Sequence, residues 1–452
     1  MFKKIHFLAA TFVCFFNNNA FGSTCVDDPL FTERPSISTS SATMEGQYDL
    51  PKPVKVLVLE GGAVRMIIQK LILLWLRINT GKEPHQLFDL FVGSSAGVAV
   101  ALQCAASTPD KKLKNPIKEI VQNHQREIEI AFSQPSLGRN IKTLWGLVAP
   151  RHSISGFLKE SKKSIGDCML SETLIPVVVP IIDRSTNQLR WLSTVKAQNN
   201  PERENFHLYQ VAVAATAFPG FFRPVKMKSP ITKEGQKENC LIAGDAGPII
   251  YHPGAIALKE AREMLKHQKS DSSAQTKQVK KIMSDSSLTE KEKLEELERL
   301  TQLEHRIKML DIGSGIPKKW VEPKVSDSSK EPKVPNSGLL QNIKPVIAQM
   351  FQGLGINARD GVEAFFGGNA KENYCRLQVL LTKEKDGTYP FVLDDINPRV
   401  TNALISQTID YTNTPEFETA IRNFFGSELK TPLTPLKKEE FLIKTKPIKA
   451  LL

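Results

Sequence analysis

Two short apolar runs, each followed by a glycine-containing turn and then by helical spacing, constrain the fold of this chain most. VKVLVL at 54–59 leads into Gly61-Gly62, and LFDLFV at 87–92 leads into Gly93. Continuous apolar runs of this length are typical of strands buried on both faces of a sheet. The resulting order of strand, helix, strand and helix requires a parallel sheet with right-handed crossovers. We therefore expect an α/β fold with a mostly parallel central sheet.

Composition divides the chain into segments around this α/β core. Its 452 residues are 41% hydrophobic and 24% charged, which is typical of globular proteins. The stretch between the two predicted halves of the domain is densely charged and almost free of aromatic residues, so we interpret it as a surface insertion. The predicted organisation is a signal peptide (1–22), a linker (23–51), one domain in two parts (52–265 and 305–415), the charged insertion (266–304) and a basic tail (416–452).

The first 22 residues have the pattern of a secretory signal peptide. Lys3 and Lys4 precede an apolar stretch at 5–16, and Ala20 and Gly22 supply small residues before a cleavage site. We therefore expect an exported protein, either periplasmic or secreted. No later run reaches 18 apolar residues, so the mature chain is not expected to span a membrane.

The excess positive charge is concentrated near the C-terminus. The formal net charge is +12, and residues 429–452 carry six lysines against two acidic residues. A basic tail favours peripheral association with an anionic membrane, whereas the alternative is a solvated, loose terminus. Nucleic acid is not an expected partner. The six residues are Lys430, Lys437, Lys438, Lys444, Lys446 and Lys449.

The motif Gly-x-Ser-x-Gly lies at the junction of the second predicted strand and its helix. In GSSAG, Gly93 and Gly97 flank Ser94, Ser95 and Ala96. This context is that of a nucleophile elbow, a sharp strand-to-helix turn that lifts the middle serine to the helix N-terminus. Ser95 is therefore the candidate nucleophile, and the alternative is an ordinary turn between a strand and a helix.

A serine nucleophile needs a base, and the sequence offers two kinds. His252, in IYHPG, would make a conventional Ser-His-Asp enzyme, although no motif places it there. Asp245, in LIAGDAGP, ends a predicted strand between small residues that allow close backbone approach. A carboxylate in that position can take the proton of Ser95 directly, which would form a dyad.

The first glycine turn, in LEGGAVRM, is the candidate oxyanion hole. A turn of this kind aims successive backbone N–H groups at an anion. The amides of Gly61, Gly62 and Ala63 are the candidate donors, with the Arg65 cation within one helical turn. The spacing of a dinucleotide-binding loop is absent, because Ala63 and Met66 stand where glycines are required.

These three motifs together resemble the patatin-like phospholipase family. That family carries Asp-Gly-Gly-Gly-x-Arg-Gly, then Gly-x-Ser-x-Gly, then Asp-Gly-Gly or Asp-Gly-Ala, and this chain has LEGGAVRM, GSSAG and GDAG in the same order. The resemblance covers roughly 52–265 and 306–415. It implies a three-layer α/β/α fold, a Ser95-Asp245 dyad and an oxyanion hole at Gly61, Gly62 and Ala63 beside Arg65.

The resemblance also implies an activity, which is hydrolysis of acyl esters in phospholipids or related glycerolipids. No cofactor or metal is expected, because the family uses none and the cysteine spacing does not suggest a zinc site. Dependence on an activating protein partner stays open. Ala63 and Met66 depart from the family's glycines, so the alternative is a catalytically impaired scaffold that binds lipid or a protein partner.

Overall fold

A computed structural model describes the greater part of the predicted domain. The described residues are 53–133, 149–230, 240–268, 280–289, 291–293, 303–321, 355–367, 371–384, 387–390 and 393–443. The predicted signal peptide and linker, most of the charged insertion, and residues 444–452 lie outside these ranges. The predictions of export and of the segments at 1–22 and 23–51 therefore stay predictions.

Eight of the described strands form a central sheet whose middle is parallel. Its order is β5-β6-β3-β2-β1-β7-β9, with β4 also paired to β3, while β8 and β10 make a separate two-stranded sheet. The strands are β1 (Val54–Leu59), β2 (Leu90–Gly93), β3 (Val177–Asp183), β4 (Gln188–Ser193), β5 (Val225–Lys228), β6 (Cys240–Asp245), β7 (Ile307–Ile312), β8 (Ile316–Pro317), β9 (Tyr374–Leu377) and β10 (Leu380–Leu381).

Pairing directions separate the sheet into a parallel centre and an antiparallel edge. β1 pairs in parallel with β2 and β7, β2 with β3, and β7 with β9. β4 and β6 run antiparallel to β3, and β5 runs antiparallel to β6. The predicted α/β fold with a mostly parallel sheet is confirmed. The short connection between β3 and β4 explains the antiparallel pair there, since antiparallel neighbours need only a tight turn.

Helices cover both faces of the sheet. Leu57 and Leu59 of β1 pack into a core with the helices at Ile67–Thr80 and Ala96–Ala105, whereas Val54, Val56 and Val58 face a second core that includes the helix at Gly254–Gln268. This alternation is what a strand buried on both faces produces, and it gives the expected three layers. The helices are numbered in chain order as α1 (Ile67–Thr80), α2 (Pro84–Leu87), α3 (Ala96–Ala105), α4 (Ile117–Gln122), α5 (His124–Ala131), α6 (Ile154–Ile165), α7 (Thr194–Asn199), α8 (Pro201–Glu204), α9 (Leu208–Ala215), α10 (Gly254–Gln268), α11 (Leu303–Arg306), α12 (Lys318–Val321), α13 (Pro398–Thr412) and α14 (Pro415–Phe425).

The chain beyond 415 differs from the predicted loose tail over its described part. Helix α14 buries Phe417, Ile421 and Phe424 in the first core. The sequence signal for this helix is the apolar spacing of these three residues, which places their large side chains on one helix face. Residues 416–443 are therefore part of the folded domain, and the association of the basic tail with a membrane stays a prediction.

Helix length also bears on the membrane question. Among the described residues, every helix is too short or too polar to cross a bilayer.

Candidate active site

Ser95 stands on a strained turn between β2 and α3. Its backbone has φ 50° and ψ −124°, a combination that non-glycine residues rarely adopt. Gly97 is required for this turn, because a Cβ there would lie 2.3 Å from the carbonyl oxygen of Leu59. Gly93 is required for the same reason, since its Cβ would lie 2.6 Å from the backbone of Gly97. The turn has the geometry expected of a nucleophile elbow.

Strand register brings Asp245 to the same level as Ser95. β3 pairs Val178 with Val92 of β2 and Ile181 with Asp245 of β6. Three residues beyond Val92 comes Ser95, just as three residues beyond Val178 comes Ile181. The antiparallel strand β6 therefore delivers Asp245 next to the elbow, and Ser95 Oγ donates a hydrogen bond to Asp245 Oδ2 at 2.6 Å.

The environment of Asp245 favours the protonated carboxyl over the carboxylate. Its side chain is buried, and burial raises its pKa to about 7, although the hydrogen bonds from Ser95 and from the Gly247 amide oppose the shift. The Gly247 amide donates to Oδ1 at 2.6 Å and so fixes the orientation of the group. A carboxylate with a pKa near neutrality has the basicity that a general base needs at physiological pH.

The neighbouring Ser94 and the histidine alternative have other partners. The Ser94 hydroxyl is buried and donates to the carbonyl of Ile250. His252 Nδ1 accepts from the Gly254 amide at 3.3 Å, so its proton lies on Nε2, which is 2.7 Å from Asp311 Oδ2. Both ring nitrogens are thus engaged. In the part of the chain that the structure describes, the geometry does not favour a Ser-His-Asp arrangement at Ser95.

The oxyanion loop at 61–63 is held by its carbonyl groups. The carbonyl of Gly61 accepts from Ser314 Oγ at 2.7 Å, and that of Gly62 accepts from the Arg65 amide at 3.0 Å. In a planar trans peptide the N–H points away from the preceding C=O. The amides of Gly62 and Ala63 are therefore turned away from these contacts, and among the described residues neither donates to a protein acceptor.

The loop lies directly against the nucleophile. A Cβ on Gly61 would lie 3.2 Å from the Cβ of Ser95. The Gly61 amide makes a long hydrogen bond of 3.4 Å to the carbonyl of Tyr251, which leaves Gly62 and Ala63 as the better candidate donors. Ala96 adds a third, because it is the first residue of α3 and the first amides of a helix lack intrahelical partners. The sequence reading did not single out Ala96.

Arg65 takes part in the site by a route that differs from the expectation. Its guanidinium donates to the carbonyl of Gly62 at 3.3 Å through Nε and to that of Gly315 at 2.6 Å through Nη1. The side chain is buried. Two of its donors are therefore directed at backbone carbonyls, and we assign it to holding the loop.

Ala63 adopts the conformation that the sequence marked as critical. Its φ is 48°, in the left-handed region where glycine is normally found. A residue with a Cβ pays about 1–2 kcal/mol of conformational energy in this region. Ala63 therefore strains the loop but still adopts the turn. Within the described ranges the Ala63 amide donates to no acceptor, so the alanine leaves this candidate donor in place.

Replacing Ala63 by glycine is expected to relieve this strain. The gain is offset by the larger entropy of glycine in the unfolded chain, so the free energy of unfolding should rise by no more than about 1 kcal/mol. Denaturant titration measures this change. Turnover should stay within about threefold of the wild type, and a large rise in kcat would instead show that alanine impairs the oxyanion hole.

A buried ion-pair network, which the sequence reading missed, lies behind the oxyanion loop. Arg376 Nη2 is 2.7 Å from Glu60 Oε1, and Nη1 is 2.6 Å from Asp311 Oδ1. His252 and Tyr374 also contact Asp311 Oδ2. Although burial alone raises the pKa of Asp311, the nearby Arg376 and His252 bring it below its usual value. The sequence signal for this network is a charged residue inside an apolar strand, namely Asp311 in MLDI and Arg376 in YCRL.

The same network contains a possible metal-ligand set. One ligand atom each from Glu60, His252 and Asp311 lies within 4.8 Å of the others, and all three residues are buried. However, the guanidinium of Arg376 already pairs with both carboxylates, and His252 directs its Nε2 proton at Asp311. These side chains are arranged to balance one another's charge rather than to present free ligands to a cation.

Comparison with known protein families covers the first two motifs, at 61–65 and 93–97, and ends before Asp245. Residues 57–242 match the model of the patatin-like phospholipases. A cGAMP-activated phospholipase from Pseudomonas aeruginosa is 24% identical over 210 residues, which are 46% of this chain and 57% of that protein. Patatin-like protein 3 of Arabidopsis thaliana is 28% identical over 263 residues, covering 52% and 60% of the two chains. Patatin-like protein 2 of the same plant is 25% identical over 226 residues, covering 48% and 55%. The match thus spans between 55% and 60% of the length of these relatives.

Proposed function

We propose that this protein is a serine hydrolase that cleaves fatty-acyl ester bonds of phospholipids or related glycerolipids, because residues 57–242 match the model of the patatin-like phospholipases. One observation carries the proposal. Ser95, on a strained elbow, donates a 2.6 Å hydrogen bond to the buried Asp245. A serine and a carboxylate in direct contact form the minimal unit for nucleophilic acyl transfer.

The proposed reaction begins with attack by Ser95 Oγ on the ester carbonyl. Asp245 Oδ2 accepts the hydroxyl proton during attack and returns it to the leaving alcohol as the acyl-enzyme forms. The oxyanion of the tetrahedral intermediate is stabilised by the amides of Gly62 and Ala63, with the Ala96 amide at the start of α3. Asp245 then takes a proton from a water molecule whose oxygen attacks the acyl carbonyl. It passes that proton to Ser95 Oγ as the bond between Oγ and the acyl carbon breaks, which releases the fatty acid and restores the hydroxyl.

Ala63 is also the observation that favours a second candidate, the catalytically impaired scaffold. Its φ of 48° lies in the region that favours glycine, so an alanine strains the loop at the position of the family's third glycine. A scaffold of this kind would bind lipid or a protein partner without turnover. The amides of Gly62 and Ala63 weigh against this candidate, because neither donates to an acceptor among the described residues and both are left as candidate oxyanion donors.

Export and activation belong to the same proposal. The basic, apolar and small-residue pattern of 1–22 supports export to the periplasm or beyond the cell. One relative is named as cGAMP-activated, which supports a requirement for an activator in this protein as well, whether a small molecule or a protein. Membrane contact through the basic tail at 416–452 would bring the site to its substrate.

The test compares wild type with Ser95→Ala on mixed phospholipid vesicles and on short-chain nitrophenyl esters. We expect released fatty acid with wild type and a loss of about 10³-fold or more with Ser95→Ala, because the nucleophile is gone. Ser94→Ala is the matched control, since it removes a hydroxyl from the adjacent residue that contacts Ile250 instead. It should retain turnover within about tenfold.

A fluorophosphonate that labels reactive serines separates the candidates further. Labelling of wild type but not of Ser95→Ala, together with lipid hydrolysis, supports the hydrolase. If wild type neither labels nor hydrolyses ester, with and without added cGAMP, while it still binds vesicles, the scaffold is the better description. Hydrolysis that survives in Ser95→Ala contradicts both.

A further inference from the structure

Ser314 is a buried hydroxyl that contacts the oxyanion loop from behind. It follows β7 in the sequence LDIGSG, and its side chain is fully buried. Its Oγ donates to the carbonyl of Gly61 at 2.7 Å and lies 3.0 Å from the hydroxyl of Tyr251. Two hydroxyls and one peptide group therefore form a continuous chain of hydrogen bonds.

The direction of this chain is fixed by proton counting. A serine hydroxyl has one proton, and the Gly61 carbonyl can only accept. The Ser314 proton is therefore used on Gly61, so Tyr251 must donate to Ser314. The order is Tyr251 O–H to Ser314 O–H to the Gly61 carbonyl, and such chains strengthen each member by mutual polarisation.

The Gly61–Gly62 peptide carries this polarisation to the site. Its carbonyl end accepts from Ser314, and its amide end is the candidate oxyanion donor of Gly62. The fit is close, because a Cβ on Gly62 would lie 2.3 Å from the Cβ of Ser314. The next residue, Gly315, accepts from Arg65 at 2.6 Å, so one segment holds both ends of the loop.

Tyr251 links these hydrogen bonds to the polypeptide segment that follows Asp245. Its carbonyl accepts the Gly61 amide at 3.4 Å, and a Cβ on Gly61 would lie 3.7 Å from its ring. A Cβ on Gly355 would lie 3.0 Å from the other edge of the ring, so the helix at 355–366 supports it. The side chain is thus packed in place with its hydroxyl on Ser314.

From these contacts we infer that Ser314 and Tyr251 are positioning residues, which orient the Gly62 amide toward the oxyanion and make it a stronger donor. This inference rests on the proposed hydrolase activity. The hydrogen bonds of Ser314 and of the Tyr251 hydroxyl lead to the carbonyl of Gly61, so both side chains are assigned to act through the peptide between Gly61 and Gly62.

Ser314→Ala is the test, measured by steady-state kinetics on a nitrophenyl ester. We expect kcat to fall about 5- to 10-fold, the effect of one hydrogen bond, with KM unchanged because the donor acts on the transition state. In Tyr251→Phe, kcat should fall about threefold. The double variant should be no slower than Ser314→Ala, since the Tyr251 hydroxyl contacts the Ser314 hydroxyl and the inference assigns its effect to that contact.

Ser107→Ala is the matched control for a purely structural hydroxyl. Ser107 is also buried, and its Oγ donates to the carbonyl of Glu172 at the same distance of 2.7 Å. It lies beyond the C-terminal end of α3, whereas Ser95 precedes the N-terminal end. The kcat of Ser107→Ala should equal that of wild type. A comparable loss of kcat in Ser107→Ala and Ser314→Ala would assign Ser314 a structural role only.

Hydrogen exchange supplies a readout that does not depend on turnover. Peptides that cover 60–66 should exchange faster in Ser314→Ala than in wild type or Ser107→Ala, because the loop has lost its anchor. Unchanged exchange, or faster exchange with unchanged kcat, overturns the inference. If wild type shows neither hydrolysis nor fluorophosphonate labelling, the proposed function fails instead, and the exchange difference alone decides whether Ser314 holds the loop.

Discussion

Asparagine in place of Asp245 is expected to lower kcat by about 10²–10⁴-fold, the usual contribution of a general base, with little change in KM. Asparagine keeps the size of the side chain and can still accept from Ser95, but it cannot take a proton. The measurement is steady-state hydrolysis of a nitrophenyl ester. His252→Ala serves as the comparison, and a larger loss in that variant than in Asp245→Asn would restore the histidine mechanism.

The pH profile of the wild type should report the same group. Because burial raises the pKa of Asp245 to about 7, the carboxylate is the minor form below that pH. The value of kcat/KM should therefore fall about tenfold per pH unit below about 7 and level off above it. A profile that stays flat down to about pH 5 would contradict the assignment of Asp245 as the base.

The free energy of unfolding should fall as pH rises, whereas kcat/KM rises. A carboxyl group whose folded-state pKa is raised binds its proton more tightly in the native protein than in the unfolded chain. Its contribution to the free energy of unfolding is therefore present below about pH 4 and is lost as pH rises through about 7. Asp245→Asn removes this dependence and should be more stable than wild type at pH 8, as denaturant titration at pH 5 and pH 8 would show.

Sequence patterns were sufficient for the parts of the site that depend on local geometry. The elbow is encoded within Gly93 to Gly97, since the same five residues supply the strained serine and the two positions where a Cβ would clash. Ala63 is similar, because its positive φ follows from its place in a glycine turn. Asp245 was found by motif order, although its delivery on an antiparallel strand was not foreseen.

Contacts between distant segments could not be predicted in the same way. Ser314 and Gly61 are far apart in sequence, and their hydrogen bond exists only because β7 and β1 are neighbours in the sheet. Arg65 shows the same limit, since its side-chain partner Gly315 also belongs to the chain after β7. A cation next to a glycine turn is ambiguous in sequence, and only the position of the neighbouring strand decides which carbonyls it contacts.

Arg376→Met should be the most destabilising of the substitutions considered, because it leaves two buried carboxylates without their cation. Glu60 and Asp311 each lie within 2.7 Å of the guanidinium, and removing one partner of a buried ion pair costs about 3–5 kcal/mol in the free energy of unfolding. Denaturant titration measures the loss. Arg422→Met is the matched control, since Arg422 pairs with Glu418 on an exposed helix face and should cost only about 0.5 kcal/mol.

The loss in Arg376→Met should also shrink as pH is lowered, and this sign separates charge from packing. In wild type, Arg376 holds the pKa of Asp311 below its usual value despite burial, so the pair is stabilising at neutral pH and weakens only in acid. Without the cation, burial raises the pKa of that carboxyl, which can then take up a proton and become neutral. The deficit relative to wild type should therefore be larger at pH 8 than at pH 5. A deficit that is independent of pH would mean that the arginine stabilises the fold by filling space, and that the charges behind the oxyanion loop contribute little.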